Sequence, residues 1–248
     1  HSMHLEPPYD KDSAINNSYK VMLSNMQAFA AVVALTTKQR EDIEQKIGKQ
    51  EKLHVIPHAI RFQPQLQTKR PATAPNRILI AARLSYTKQL DHAIKAMAIV
   101  VKSLPNTSLH IFGDGSERAN LEQLITDLRL EKHVFLDGFS DNVMTEYLHA
   151  DLSLFTSHSE GFGLAVLESL SQGCPVVSYD LPYGPSDMII DGKNGYLVER
   201  SNIDMLAAKV IEALSDKKAL QKLSKAATKS VDRFNEKNFT KKWVELFN

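Results

Sequence analysis

Between residues 77 and 198 short apolar runs alternate with longer amphipathic ones, and this order restricts the possible folds more than any other feature of the chain. The runs R-I-L-I-A-A-R-L (77–84), S-L-H-I-F (108–112), H-V-F-L-D-G-F (133–139) and D-L-S-L-F (151–155) each lead into a glycine-, serine- or threonine-bearing turn and then a segment with helical apolar spacing. Strands separated by helices cannot pair as hairpins; the crossovers they need give a parallel sheet covered by helices on both faces. The predicted fold class is therefore α/β, a parallel sheet with helices on both faces.

The stretch 157–179, S-H-S-E-G-F-G-L-A-V-L-E-S-L-S-Q-G-C-P-V-V-S-Y, reads as loop, helix and strand in immediate succession. Leu164, Leu167 and Leu170 recur at three-residue steps, Gly173 supplies a stop and Pro175 follows it. Gly161 and Gly163 fall where the helix begins, so backbone N–H groups can approach a ligand, and a helix N-terminus attracts anions. Glu160 lies in the loop and Glu168 about a turn and a half into the helix. Two carboxylate acceptors beside an anion site suit polyols joined to a phosphate, as in a nucleotide sugar. Taken alone the stretch also fits a plain structural turn, because glycine loops before helices are common and helix glutamates are usually solvated.

E-G-F-G-L-A-V-L-E resembles the E-x7-E motif of the retaining glycosyltransferases of group 1, whose GT-B fold sets two Rossmann-like domains across a cleft. The resemblance implies that Glu160 and the amides of Gly161, Phe162, Gly163 and Leu164 meet the donor sugar and diphosphate, and that Glu168 holds the nucleotide ribose. It also gives Arg83 and Lys88, at the exit of the first strand, the neutralisation of the diphosphate; Ala82 replaces the family's usual glycine there. Gly138 and Phe139 become neighbours of the base, although a core role suits Phe139 equally. G-D-G at 113–115 lacks the third glycine of a dinucleotide fingerprint and reads as a structural turn bordering the cleft. Tyr183, Gly184 and Pro185 form a further loop at a strand end.

K-Q-L-D-H-A-I-K-A, D-G-F, T-S-H-S-E-G-F-G-L and Y-G-P-S-D-M-I-I-D-G-K-N-G together resemble bacterial poly(glycerol-phosphate) α-glucosyltransferases of wall teichoic acid. The glycosyltransferases of serine-rich surface proteins share several of these segments. The expected organisation is a remnant of an acceptor-side Rossmann domain over 1–61, a polar linker over 62–76, a donor domain over 77–228 and a final helix over 229–248 crossing back. The resemblance implies a UDP-sugar donor, a polymer or protein acceptor, no metal or other cofactor, and a missing N-terminal half without which transfer would fail. A sugar-nucleotide epimerase of GT-B architecture and a non-catalytic scaffold are the alternatives.

Thirty basic and 29 acidic residues leave a net charge of +1, so no whole-molecule field points to nucleic acid. One cysteine, Cys174, beside an apolar strand reads as a small buried hydrophobe and fits a reducing compartment. With no apolar run near the ~20 residues of a membrane span, the expected place is the cytoplasm, with peripheral docking at the inner face of the membrane open. His1 and His4 are too few to make a metal site, and His58 is given no role.

Overall fold

The computed structural model describes residues 21, 23–60, 63–64 and 75–248. Two parallel sheets organise them. The smaller pairs β1 (Val32–Ala34) with β2 (Leu53–Val55), joined through α1 (Thr37–Ile47). The larger has six strands: β3 (Asn76–Ala81), β4 (Thr107–Phe112), β5 (Val134–Gly138), β6 (Leu152–Phe155), β7 (Val176–Tyr179) and β8 (Gly195–Val198). Their order is β5-β4-β3-β6-β7-β8, with every neighbouring pair parallel. The chain thus builds outward from β3 in one direction, returns beside β3 at β6 and builds outward in the other. The crevice between the exits of β3 and β6 is the point at which open α/β sheets hold ligands.

Helices supply the five crossovers: α2 (Leu90–Ser103), α3 (Arg118–Asp127), α4 (Val143–His149), α5 (Leu164–Ser171) and α6 (Pro185–Met188); after β8 come α7 (Ile203–Ser215), α8 (Lys217–Ser230) and α9 (Glu236–Phe247). Alternation along β3 divides the core. Ile78 and Ile80 join the large cluster with Ile94, Met97 and Val100 of α2, while Leu79 faces Tyr147 of α4 and Cys174. Burial pushes the Cys174 thiol up to about 12, so it stays protonated and acts as the apolar group the sequence suggests. α2 packs with α3 and α7, and α5 with α4 and α8. The smaller sheet has its own core of Leu23, Met26, Val32, Ala34, Ile43 and Leu53.

Local chemistry sets most helix ends. Thr36 and Gln39 cap α1 reciprocally, and Asn202, Asp216 and Asn235 accept N–H donors at the starts of α7, α8 and α9. α3 ends at Asp127, and Arg129 just beyond it turns left-handed at φ 58°. Asn76, expected in the linker, opens β3 instead: its N–H donates to the Asn106 carbonyl at 2.8 Å and its side-chain amide to Thr107 Oγ1 at 3.3 Å. The rest of the linker lies outside the described residues apart from 63–64 and 75, as do His1 and His4. Residues 21, 23 and 24 are helical and Met26–Ala28 form a 3-10 turn.

The two sheets touch through specific bonds. The Ile60 N–H donates to the Phe234 carbonyl at 2.8 Å, the Tyr183 hydroxyl to Asp42 at 2.6 Å and the Gln39 side-chain amide to the Gly161 carbonyl at 2.6 Å. α9 reaches back to the smaller sheet, where Lys242 Nζ donates to the Val55 carbonyl at 3.4 Å. Its Phe239, Trp243 and Phe247 form one stripe: Phe239 meets Trp243 edge-on with centroids 6.1 Å apart, and Trp243 stacks on Phe247 at 5.8 Å. None of its residues is fully buried.

Candidate functional site

The site sits at the C-terminal edge of the larger sheet and begins with the β3 exit. Ala82 N–H donates to the Phe112 carbonyl and Leu84 N–H to the Asp114 carbonyl, both at 3.0 Å, while Glu117 N–H returns to the Leu84 carbonyl at 3.0 Å. The exits of β3 and β4 are therefore zipped together, and the approach is so close that a Cβ on Gly113 would lie 2.0 Å from the Ala82 carbonyl oxygen and one on Gly115 2.3 Å from that of Leu84. This is why G-D-G carries its glycines: the backbone contact fixes the segment bearing Arg83. Arg83 itself is exposed; its carbonyl accepts from the Ser85 N–H at 2.9 Å, and its guanidinium makes no hydrogen bond or ion pair with a described residue.

After a 3-10 turn (Tyr86–Lys88), left-handed Gln89 starts α2. That turn is tied to the β6 exit, since Thr156 Oγ1 donates to the Lys88 carbonyl at 2.9 Å and the His158 N–H to the Thr87 carbonyl at 2.8 Å. Across the junction Lys88 Nζ meets Glu160 Oε1 at 2.5 Å, and Ser157 Oγ donates to the same oxygen at 2.8 Å. Lys88 is 27% exposed and Glu160 13%, so the pair is shielded enough to be well ordered yet open on one side. Ser157 and Thr156 were not singled out from the sequence. Their neighbours in the chain gave no sign that they bridge two strand exits.

The glycine loop follows. Gly161, Phe162 and Gly163 are buried, and Gly163 adopts φ 83° immediately before α5. Every carbonyl here has a neighbour: that of Gly161 accepts from Gln39, that of Phe162 lies against Gly184, and that of Gly163 accepts from the Val166 N–H at 2.9 Å. The N–H groups do not. None of the backbone N–H groups of Gly161, Phe162, Gly163, Leu164 and Ala165 donates to an acceptor among the described residues. Buried peptide donors are almost always satisfied, and five consecutive open ones, three of them on buried residues, at a helix N-terminus are an arrangement that suits an anion.

Glu168 stands farther along α5, half-buried. It lies near the buried Tyr147, whose hydroxyl donates to the Ala165 carbonyl at 3.4 Å and whose pKa is raised by burial first and by the Glu168 charge second. Gly138 ends β5, and its carbonyl accepts from the Gly113 N–H at 2.8 Å, which joins the β5 exit to the same edge. Phe139 is 78% exposed, so a core role does not apply; its side chain stands free at that edge because β5 has already ended. Tyr183, expected in a ligand loop, is instead a buried strut whose hydroxyl reaches Asp42. His58 packs edge-on against Phe162 with centroids 5.4 Å apart.

Gln39 is the residue that sequence reasoning missed most completely. Its amide oxygen accepts from the N–H groups of Leu35 (2.8 Å) and Thr36 (3.2 Å), capping α1, while its nitrogen holds Gly161 from the other sheet. The T-x-x-Q spacing at 36–39 is that of a capping box, a usable local signal for the cap; nothing in it marks the second bond. Gln39→Leu, which removes a buried hydrogen-bonded amide, is expected to cost about 1–3 kcal/mol in urea unfolding and to weaken ligand binding at the loop. Gln39→Ala with unchanged unfolding midpoint and ligand affinity would show that the bond to Gly161 carries no weight.

Comparison with known proteins accords with this geometry. Residues 61–230 match the family described as glycosyl transferases group 1. The poly(glycerol-phosphate) alpha-glucosyltransferase of Bacillus subtilis is 37% identical over 94% of this chain and 35% of its own length. The poly(ribitol-phosphate) alpha-N-acetylglucosaminyltransferase of Staphylococcus aureus is 31% identical over 97% of this chain and 48% of its own. A crystal structure of S. aureus TarM bound to fondaparinux, alpha-GlcNAc-glycerol and UDP superposes with a TM-score of 0.91 at 28% identity, over 99% of this chain and 50% of that one. The chain thus spans about a third to a half of the length of these relatives. With the family matched over most of its length and the fold matched to GT-B glycosyltransferases, this chain belongs to the glycosyl transferases group 1 family.

Proposed function

We propose that this chain is the donor-binding portion of a retaining glycosyltransferase that moves glucose, or a related hexose, from a UDP-sugar to an acceptor hydroxyl on a glycerol-phosphate polymer. The observation that carries the reading is the row of open amides from Gly161 to Ala165 beside the Lys88–Glu160 pair. A diphosphate in that cradle would accept from the amides and from Lys88, with Arg83 adding a second cation from the β3 exit. Both cations stabilise the negative charge that grows on the departing UDP, in a position fixed before the reaction begins. Glu160, relieved of part of its bond to Lys88, would accept from sugar hydroxyls, Glu168 from the ribose, and Gly138 with Phe139 would border the base.

The acceptor would attack from the side of the leaving phosphate, which keeps the anomeric configuration and requires no protein nucleophile, metal or other cofactor. An acceptor-side domain facing this edge would complete the cleft, and this chain alone would transfer little. No helix among the described residues is long and apolar enough to cross a membrane; we place the enzyme in the cytoplasm, at the inner face of the membrane where a nascent wall polymer is reached.

The relatives named for peptide N-acetylglucosaminyl transfer, such as that of Streptococcus parasanguinis at 29% identity over 81% of this chain, keep a protein acceptor as the second reading. The full-length enzyme, given a panel of UDP-sugars with glycerol-phosphate oligomers or a serine-rich peptide, is expected to glycosylate the oligomers with a hexose. Exclusive transfer to the peptide would reverse the choice of acceptor, and conversion of UDP-N-acetylglucosamine without any acceptor would replace transfer by epimerisation.

A further inference from the structure

The formal charge of +1 conceals a strong asymmetry. Residues 217–242 hold nine lysines and arginines against two acidic residues, a net of +7, which leaves −6 on the rest of the chain. α8 alone carries five lysines and no carboxylate. Four of them, Lys218, Lys222, Lys225 and Lys229, are exposed and fall at i, i+4, i+7 and i+11, a single stripe on the helix. None forms an ion pair with a described residue, whereas solvated helix faces ordinarily interleave both signs.

The stripe has a direction. Lys217 at the start of α8 bonds Asn76 Oδ1 at 2.6 Å and lies 3.8 Å from Asp151, at the N-terminal edge of the sheet. Past the end of α8, the Phe234 ring packs 5.9 Å from Phe162 in the glycine loop. There Arg233, Lys241 and Lys242 border a cavity of about 460 Å³ that Phe162, Asp187 and Glu245 also line, with Lys241 Nζ 3.7 Å from Glu245. Cations spaced about 4.5–6 Å apart along the helix therefore run from the N-terminal edge of the sheet toward the Phe162 side of the glycine loop.

We infer that the lysine stripe of α8, continued by Arg233, Lys241 and Lys242, is a docking surface for a linear phosphodiester polyanion. The identity of the occupant rests on the reading proposed above; the existence of the surface does not. A repeating row of cations suits a polymer with one charge per short repeat, and two relatives are named for poly(glycerol-phosphate) and poly(ribitol-phosphate). A bilayer suits it less, because the apolar side of α8 (Leu220, Leu223, Ala227) is already buried in the core, and interfacial helices need that side free. Docking here would hold the chain end near the donor site while successive units are presented.

The test titrates the chain with fluorescently labelled poly(glycerol phosphate) at increasing salt and compares Lys218→Gln/Lys222→Gln/Lys225→Gln/Lys229→Gln with a control, Lys49→Gln/Lys102→Gln/Lys132→Gln/Lys193→Gln, that removes as many exposed lysines elsewhere. Glutamine keeps helix propensity close to that of lysine, so circular dichroism should not change. The stripe variant is expected to bind at least about tenfold more weakly at low salt, with the slope of log K against log salt shallower by about two to three, by analogy with single-stranded nucleic acids. The control should stay within about twofold of wild type, phosphatidylglycerol vesicles should not be retained, and UDP affinity should be equal in all three proteins. Equal polymer affinity in the stripe variant, an equal loss in the control, or lysine-dependent retention on the vesicles in place of polymer would overturn the inference. Absence of UDP binding in the wild type would instead overturn the donor-site reading and leave the polymer comparison to be judged by itself.

Discussion

Gly184→Val is expected to lower the unfolding free energy by more than about 3 kcal/mol and to abolish ligand binding in whatever fraction folds. Gly184 has φ 93°, and a Cβ there would lie 2.1 Å from the Phe162 carbonyl oxygen and 2.6 Å from its carbon. The obstacle is backbone, so no side chain can turn aside, and a β-branched residue at positive φ adds strain of its own. Relief would require moving Phe162, whose flanking amides form the cradle, or breaking the turn in which the Gly184 N–H donates to Asp187 Oδ2 at 3.0 Å. Asp187 is buried enough for its pKa to be raised, so losing that donor leaves a costly carboxyl. Gly192→Ala is the comparison. Its φ of 71° carries a similar conformational penalty but its surroundings are open, so only about 1–2 kcal/mol is expected. Urea melts of the two variants check this; equal midpoints would mean that the contact with Phe162 is not what holds the loop.

Lys88→Met is expected to weaken UDP binding about 10- to 100-fold, the range of one charge-assisted hydrogen bond at about 1.5–3 kcal/mol. Methionine keeps the length of the side chain and removes the charge. Glu160→Gln should behave differently. It releases Lys88 from its 2.5 Å bond, so UDP should bind within a few-fold of wild type, while a UDP-sugar, which needs an acceptor for its hydroxyls, should bind more weakly. Parallel titrations with UDP and UDP-glucose separate the two roles. A Glu160→Gln variant that loses UDP and UDP-glucose equally would show that the carboxylate only orders the loop.

Much of the fold was legible because strand and helix periods are local properties. The alternation over 77–198 implies a parallel sheet with helical crossovers, and the glycine, threonine and asparagine positions mark most helix ends. What stayed hidden depends on partners far away in the chain. Gln39 and Gly161 are 122 positions apart, Asp42 and Tyr183 141, so neither the clamp on the loop nor the strut beneath it leaves a local pattern. Gly113, Gly115 and Gly184 look like turn glycines, and their turns are real. Their main reason is the missing Cβ, which lets one backbone lie against another. The four-residue α6 is too short for any periodicity to show, although Pro185 at its start was a usable sign. Of the site, the resemblance brought Glu160 and Lys88 to attention and the structure places them in contact; Arg83 stands at the same strand exit as Lys88, and Glu168 on α5, the helix that follows Glu160.

The central claim is that the Gly161–Ala165 amides and the cations of the β3 exit together hold a pyrophosphate. Calorimetric titration of the wild-type chain with UDP, repeated on Arg83→Ala and Glu168→Ala, tests it most directly. Saturable binding by the wild type and a loss of about tenfold or more in each variant is the predicted result; affinity unchanged in both variants, or no binding by a folded wild type, would contradict the account.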